Sequence, residues 1–226
     1  MLYGVISCYI ITKQHQITRG NTMLITIANT KGGTKKSTTV LNLASIFAPH
    51  YIIDLDVHDS IATFNKIRPE QKQFNIKQFT SKVELATFLI KNKNDHSIIV
   101  DCGGFDSELN AVAMKAADLV IVPTTESPFD IRGVIHTNDV LERENIKEAW
   151  LVPNGVHHSK KHFRKLSSLV KGMPRMTLRD DLKIQLLEDV NNAAWRGLGI
   201  NEHNKHCEAA RQYKRLGAAI MEYKNQ

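Results

Sequence analysis

The sequence predicts an α/β fold in which helices cover both faces of a doubly wound, mostly parallel β-sheet. Short apolar runs alternate with helix-forming segments along the chain, as in repeated βαβ units. Two of these runs end in aspartates, and an early run leads through a glycine-containing loop into a helical segment. Functional groups at strand ends are typical of open α/β sheets, which bind ligands at that edge.

The loop at residues 28–40, ANTKGGTKKSTTV, is the segment around which the chain is organised. It lies between an apolar run at residues 23–27 and a helical segment at residues 41–47. Such a loop points backbone N–H groups inward above a helix N-terminus, which suits a phosphate chain. Lys36 is then expected to reach the outer phosphates, and Ser37 to coordinate magnesium. A surface turn rich in Gly and Lys is the alternative, which the flanking strand and helix disfavour.

Carboxylates are expected beside this loop. The run at residues 51–53 leads into Asp54 and Asp56, and the run at residues 98–100 ends at Asp101. Because the carboxyl ends of parallel strands share one edge of a sheet, these groups are expected to lie near one another. An acid at the tip of a buried strand holds magnesium beside bound phosphates, which is the role predicted for Asp101.

The rest of the pattern predicts further elements in alternation. Strands are expected at residues 74–79, 119–123, 149–156 and 175–181. Helices are expected at residues 60–67, 83–90, 106–117, 159–171 and 206–223, with Asp59 capping the first of them. A polar turn at residues 91–95 and loops at residues 124–130 and 197–200 connect these elements.

Length and cysteine usage narrow the class of protein. The 226 residues, 42% of them hydrophobic, suffice for one sizeable core. No stretch approaches the roughly 20 apolar residues that span a bilayer. Cys8, Cys102 and Cys207 form no C-x-x-C pair, so neither a disulfide framework nor a zinc site is expected, and a reducing cytoplasm fits. Cys102 has no candidate base nearby and is interpreted as a small residue near the site rather than a nucleophile.

The positive charge is concentrated in the C-terminal third of the chain. Residues 1–154 contain 16 Lys and Arg against 16 Asp and Glu, whereas residues 155–226 contain 14 against 7. The net charge of +7 therefore lies beyond residue 154. Such asymmetry favours a polyanionic partner, either nucleic acid or an acidic membrane surface, although an ordinary solvated surface has the same composition.

The loop departs from the ordinary pattern G-x-x-x-x-G-K-[ST], because Thr30 and Lys35 occupy its two glycine positions. It better matches the variant K-G-G-x-G-K-[ST], which begins here at Lys31 and ends at Ser37. The sequence therefore resembles the ParA/MinD family of P-loop ATPases, with their deviant Walker A loop. The likeness covers residues 23–155 well, the remainder loosely, and is closest to the short plasmid-partition ParA subgroup.

The resemblance implies that ATP and Mg²⁺ are the ligands. It implies that Lys31 crosses to the nucleotide of a partner subunit, Lys36 serves its own nucleotide, and Asp56 orients the attacking water. The implied magnesium ligands are Ser37, Asp56 and Asp101. The implied nucleotide-binding residues are Gly32, Gly33, Thr34, Lys35, Lys36, Ser37, Thr38 and Asn154. Asn154 would contact the adenine base, although an Asn before Gly155 is also a strong turn signal.

The resemblance further implies a function in plasmid or chromosome partition. An ATP-dependent homodimer would bind DNA nonspecifically on the nucleoid, and a centromere-binding ParB-like adaptor would trigger slow hydrolysis. A MinD-like ATPase associated with the membrane is the alternative partner class. Residues 217–226 lack the bulky apolar face beside a lysine run that lipid binding favours, so DNA is the expected partner.

Two departures from the family pattern favour a second function class. Lys35 replaces a glycine, where a residue with a Cβ costs about 1 kcal/mol in a left-handed conformation, and it adds charge beside the phosphates. Val57 and His58 replace the proline and glutamine of the D-x-D-P-Q segment. These substitutions are consistent with a nucleotide-dependent scaffold, for conjugation or positioning, that hydrolyses little or no ATP.

Residues 1–22 are expected to be an additional segment, since Met23 occupies the position where such a chain would start. The segment lacks the basic region and cleavage site of a signal peptide. An added edge strand and upstream sequence joined by a misassigned start codon both explain it, and the second is favoured. N-terminal sequencing of the native protein that found Met1 would contradict the start-codon hypothesis.

Overall fold

The computed structural model describes residues 22–58 and 60–226, which form an eight-stranded sheet with helices on both faces. The predicted α/β class and layered architecture are therefore confirmed. Two sequence predictions, the additional N-terminal segment and the cap at Asp59, lie outside the described residues apart from Thr22. Both stay predictions.

The strands are joined in parallel throughout, so their carboxyl ends lie along one edge of the sheet. In spatial order they run β3-β2-β4-β1-β5-β6-β7, and β8 pairs with the end of β6. Because β1 lies between β4 and β5, the winding reverses there, at the topological switch point where such sheets bind ligands. The strands are β1 (Leu24–Ile27), β2 (Tyr51–Asp54), β3 (Ile76–Lys77), β4 (Ile98–Asp101), β5 (Leu119–Thr124), β6 (Ala149–Val156), β7 (Met176–Leu178) and β8 (Ile184–Gln185).

Helices pack on both faces of the sheet. The described helices are α1 (Lys36–Phe47), α2 (Ser60–Ile67), α3 (Lys82–Asn92), α4 (Glu108–Ala116), α5 (Pro128–Arg143), α6 (Arg164–Val170), α7 (Glu188–Trp195), α8 (Ile200–His203) and α9 (Glu208–Lys224). Successive residues of β1 point to opposite faces: Leu24 belongs to the core beneath α3 to α6, and Ile25 to the core beneath α1, α2 and α9. A strand buried on both sides reads as a continuous apolar run, which is why β1 was recognisable in the sequence.

Several element boundaries differ from the prediction. The strand expected at residues 74–79 is reduced to β3, and the helix expected at residues 159–171 begins only at Arg164. The carboxylate of Glu126 accepts hydrogen bonds from the backbone N–H groups of Lys165 and Leu166, so a distant side chain caps this helix. Residues 175–181 contain β7 as predicted, but β8 follows it as a further strand.

Three helices, α5, α7 and the short α8, were not predicted. The start of α5 does carry a recognisable signal: Ser127 accepts a hydrogen bond from the N–H of Asp130, and Pro128 occupies the first turn. The preceding loop was recognised in the sequence, but the amphipathic pattern that follows it was not interpreted. This omission matters for function, because α5 contacts the loop after β1.

Candidate nucleotide-binding site

The loop after β1 lies at the switch point of the sheet and leads directly into α1. Its backbone takes left-handed angles at Gly33 (φ 78°) and at Lys35 (φ 68°). Lys35 is the N-cap of α1, so the departure from glycine noted in the sequence falls at a position that glycine suits best. The conformation costs a residue with a Cβ about 1 kcal/mol.

Helix α5 braces this loop from one side. The Thr30 hydroxyl donates to the carbonyl of Gly133 (3.1 Å), and the Thr30 N–H donates to the Thr137 hydroxyl (3.1 Å). A Cβ on Gly133 would lie 2.5 Å from Oδ1 of Asn29 and 2.7 Å from Cβ of Lys31. Only glycine therefore allows this approach. Gly133 and Thr137 were missed in the sequence, where a glycine within the unrecognised helix was the available signal.

Lys36 lies beneath the loop and is only 5% exposed. Its Nζ donates to the carbonyl of Lys31 at 3.0 Å. Burial lowers the pKa of Lys36, while the charges of Asp101 and Asp56 oppose that shift. A lysine in this position presents an ammonium group beside the loop's backbone, as a phosphate-binding lysine requires.

The two signature lysines of the K-G-G-x-G-K-[ST] pattern are Lys31 and Lys36. The side chain of Lys31 contacts residues of its own subunit. Its Nζ lies 3.4 Å from Oδ1 of Asp130 and donates to the carbonyl of Gly32 at 3.0 Å. Asp130 also accepts a hydrogen bond from the Thr125 hydroxyl. Asp130 lay within the loop noted in the sequence, but no role was assigned to it. Lys31 could reach another subunit only after leaving Asp130.

The other predicted loop residues lie along the turn and the start of α1. Gly32 and Gly33 are exposed, and Ser37 and Thr38 are half-buried in the first turn of the helix. Thr34 is buried, and its hydroxyl donates to the carbonyl of Lys31 at 3.3 Å.

Two aspartates end neighbouring strands at this edge. Asp54 of β2 and Asp101 of β4 are register partners, and both are buried. Burial raises the pKa of Asp101 to about 7; the Ser37 hydroxyl and Lys36 work against that rise, and Asp54 adds to it. Neither carboxylate oxygen of Asp101 has a well-formed hydrogen bond to any described residue. Such a group is stabilised by a cation.

These oxygens suit Mg²⁺. Magnesium is usually bound through one or two carboxylates together with substrate phosphates and water, rather than by an all-protein cage. The described residues contain no group of three or more His, Cys, Asp or Glu side chains that could hold a metal ion by themselves. Asp101 and the Ser37 hydroxyl are the groups that fit the ion, while the role of Asp56 as a third ligand stays a prediction.

Asp56 lies on the loop after β2 and is partly exposed. Its N–H donates to Oδ1 of Asp54 (3.1 Å), and its own Oδ1 accepts from the N–H of His58 (3.0 Å). Val57 and His58, which replace the proline and glutamine of the family pattern, are exposed beside it.

The loop after β4 closely approaches the loop between β1 and α1, the phosphate loop. A Cβ on Gly104 would lie 2.9 Å from the backbone nitrogen of Gly32, so the two loops are in contact. The Gly103 N–H donates to Oδ1 of Asn110, which also fixes this loop from α4. Burial raises the pKa of the Cys102 thiol far above its usual value, which agrees with its interpretation as a small residue near the site rather than a nucleophile.

A pocket opens beside the end of β6, where Asn154 lies. Its side-chain Nδ2 donates to the Thr39 hydroxyl on α1 at 2.8 Å. The strand continues beyond Asn154 to Val156, so Asn154 occupies a strand position rather than a simple turn. Lys35, Thr38 and Tyr213 also line this pocket.

The loop, the buried lysine and the paired strand-end carboxylates together define a nucleotide-binding protein of the P-loop class. A model of the CobQ/CobB/MinD/ParA nucleotide-binding domain matches residues 25–222, and the chain belongs to this family. The resemblance inferred from the loop is therefore confirmed.

The individual relatives share only low sequence identity with this chain. The chain is 27% identical over 119 residues to maintenance of carboxysome distribution protein A of Gloeobacter kilaueensis. That match covers 50% of this chain and 54% of the relative, so it spans about half the length of that protein.

Solved structures share the fold. One is described as a plasmid partition protein of Borrelia burgdorferi bound to AMPPNP; it is 18% identical with a TM-score of 0.67, over 91% of this chain and 100% of that one. Another is the septum site-determining protein MinD of Pyrococcus horikoshii complexed with Mg-ADP, at 15% identity and a TM-score of 0.63, over 87% and 94% of the two chains.

Within the described ranges, no helix is both long and apolar enough to cross a bilayer.

Proposed function

We propose that this protein is a ParA-type ATPase that binds ATP with Mg²⁺, dimerises, binds DNA nonspecifically and acts in plasmid or chromosome partition. The observation that carries the proposal is the convergence of Lys36, Ser37 and Asp101 at the switch point of the sheet. The comparison with a carboxysome distribution protein widens the range of cargoes that such a positioning ATPase could serve. A ParB-like adaptor would connect the protein to its cargo.

In this proposal the chain's residues divide the work of binding and hydrolysis. The loop N–H groups and Lys36 bind the phosphates, and Lys36 stabilises charge that develops on them. Ser37 and Asp101 hold Mg²⁺, which neutralises phosphate charge when bound. Asp56 orients the attacking water. Because no strong general base lies among these residues, slow turnover is expected.

The surface around Lys31 supports the proposed homodimer. Three exposed apolar side chains, Val57, Phe105 and Phe129, each lie on a loop or helix start that flanks the phosphate loop. Phe129 adjoins Asp130, the intramolecular partner of Lys31. Exposed apolar side chains around one loop can contribute to an interaction surface. A second copy would bury these side chains and accept Lys31 at its own nucleotide.

Replacing Phe129 with glutamate is expected to prevent dimerisation in the presence of MgATP. Removal of a central aromatic side chain from an interface typically raises a dissociation constant at least about 30-fold. Light scattering after gel filtration with MgATP measures the change. Ile90→Glu on α3 is the matched control, because Ile90 and Phe129 are both 74% exposed. Equal dimerisation of the Phe129→Glu variant and the wild type would contradict this placement of the interface.

Unpaired basic residues cluster on and before α6, and they support the proposed DNA binding. Lys161, Arg164 and Lys165 are exposed and make no ion pair with any described residue, whereas the neighbouring Lys160 is paired with Glu126 at 2.6 Å. Ammonium and guanidinium groups that are free of acidic partners are available to phosphates. The apolar residues Leu216 and Ile220 of α9 are buried in the core, so this helix presents no apolar face for lipid.

Replacing Lys161, Arg164 and Lys165 together with alanine is expected to weaken DNA binding. The slope of log affinity against log salt concentration should fall by about 0.9 for each DNA phosphate that the variant no longer neutralises. Fluorescence anisotropy with random-sequence duplex DNA and MgATP across a salt series measures it. The control replaces Lys66, Lys91 and Lys147, three exposed lysines elsewhere, and removes the same charge. Equal effects of the two triple variants would reject a DNA site at α6, and flotation with anionic liposomes tests the membrane alternative.

A scaffold that binds nucleotide with little hydrolysis is the second candidate function. It is favoured by the left-handed lysine at position 35 and by the altered segment at Val57 and His58. Phosphate release with DNA and adaptor present separates the two candidates. Activity that disappears in a Lys36→Ala variant would reject the scaffold, whereas nucleotide-dependent dimerisation without release would favour it.

A further inference from the structure

The side chain of Lys35 takes a direction that phosphate binding does not explain. With the backbone of Lys35 in a left-handed conformation, its Cγ and Cε each lie 3.5 Å from the position that a Cβ on Gly155 would occupy. Gly155 follows Asn154 near the end of β6. The Lys35 side chain therefore runs from the phosphate loop towards β6 and the pocket beside it.

That pocket combines polar side chains with apolar walls. Asn154 and Tyr213, which are both buried, line it, and Thr38 contributes from the first turn of α1. The remaining lining consists of residues from β8, α7 and the segment between them: Ile184, Gln185, Leu186, Leu187, Val190 and Asn191. A few convergent amides and hydroxyls between apolar walls are the usual lining of a small-molecule site. Because Lys35 and Thr38 of the phosphate loop and the first turn of α1 line one side of this pocket, the part of a bound nucleotide expected here is the nucleoside.

The Lys35 ammonium differs from those of the two signature lysines. Nζ of Lys36 donates to a loop carbonyl, and Nζ of Lys31 is paired with Asp130. Lys35 is exposed and, among the described residues, has neither an acidic partner nor a hydrogen-bond acceptor. Its charge is therefore available to a ligand in the pocket.

We propose that Lys35 is a specificity-determining residue that contacts the nucleoside, donating a hydrogen bond to an acceptor on the ribose or the base. The inference rests on the proposed binding of ATP and assigns the phosphates to Lys36. A charge-assisted hydrogen bond to the ligand offsets the conformational cost at position 35. The substitution of the usual glycine then adds a nucleoside contact rather than a second phosphate contact.

Calorimetric titration with MgATP and with magnesium tripolyphosphate separates the two roles. Lys35→Met keeps the aliphatic stem and removes the charge, while Lys35→Asn removes both and tolerates the left-handed backbone. We expect the ratio of ATP affinity to tripolyphosphate affinity to fall about tenfold in both variants, because each lacks one charge-assisted hydrogen bond to the nucleoside. An unchanged ratio, with both ligands weakened equally, would overturn the inference in favour of a phosphate contact.

Two analogues test the same contact from the ligand side. If Lys35 donates to the ribose 2′-hydroxyl, 2′-deoxy-ATP binds the wild type more weakly than ATP; if it donates to purine N7, 7-deaza-ATP does. In either case the loss of affinity disappears in Lys35→Met. A penalty that persists in Lys35→Met for both analogues would count against the inference. The wild-type titration tests the proposed function separately, because a folded wild type that takes up no MgATP rejects ATP binding itself.

Discussion

Replacing Lys36 with methionine is expected to weaken MgATP binding about 100-fold or more while leaving the protein folded. The lysine is buried, and its ammonium group donates a hydrogen bond to the carbonyl of Lys31. When a nucleotide binds, phosphate oxygens can replace that carbonyl as the acceptor. Each charge-assisted hydrogen bond to a phosphate contributes about 1.5–3 kcal/mol. Loss of two such bonds corresponds to an affinity loss of about 100-fold or more, measured by calorimetric titration.

The methionine variant keeps the buried stem, so the free energy of unfolding should not fall. Burial lowers the pKa of Lys36, which means that the folded protein disfavours its charge and gains from a neutral replacement. Lys147→Met, at an exposed lysine remote from the loop, serves as the control. Wild-type affinity in a folded Lys36→Met variant would remove the phosphate site from this loop.

Replacing Asp101 with asparagine is expected to stabilise the nucleotide-free protein at alkaline pH and to reduce the stabilisation that Mg²⁺ with ATP confers. The pKa of Asp101 is raised from 3.8 to about 7, mainly by burial. A carboxyl group whose pKa is raised by folding favours the folded state in its protonated form. Its contribution is therefore fully present below about pH 4 and is lost as the pH rises through 7.

The free energy of unfolding depends on pH because Asp101 ionises at a higher pH in the folded than in the unfolded protein. The raised pKa corresponds to about 4 kcal/mol of folding free energy lost once Asp101 is fully ionised. The amide is not titratable, so Asp101→Asn should exceed the wild type in stability by about 2–4 kcal/mol at pH 8 and by much less at pH 5. Urea unfolding at both pH values, without nucleotide or Mg²⁺, measures the difference.

Magnesium provides the complementary test at the same residue. Adding Mg²⁺ with ATP at pH 8 should stabilise the wild type, because the ion compensates the buried carboxylate, and should stabilise the asparagine variant far less. Asp106→Asn, at a surface carboxylate paired with Arg143, controls for a general change in charge. A stability difference between Asp101→Asn and the wild type that is the same at pH 5 and pH 8 would rule out the buried carboxylate as its cause.

Local patterns in the sequence were sufficient for the elements that build the centre of the site. A strand buried on both faces is a run of apolar residues whatever lies around it, so β1, β2 and β4 could be predicted. The aspartates that end β2 and β4 follow those runs directly, and parallel pairing places both at one edge. The lysine-rich loop between β1 and α1 was recognisable because its function depends on spacing along the chain.

Other features depend on which elements become neighbours in space. Helix α5 packs on the loop through Gly133, and Asp130 from the same helix pairs with Lys31, contacts that follow from β1 lying beside β5. The cap of α6 comes from Glu126, which explains why an amphipathic pattern alone placed the start of that helix too early. Periodicity reports which face of an element is buried, but it does not report what covers that face.

Lys35 illustrates the division most clearly. The sequence by itself determined the fold class and the family, and it showed that a lysine replaces a glycine in the loop between β1 and α1. Only the tertiary structure decided where that lysine points, because the left-handed backbone at position 35 and the adjacent end of β6 together direct its side chain. Spacing along the chain determines which side chains share one loop. Contacts between distant segments depend instead on the spatial order of the strands in the sheet.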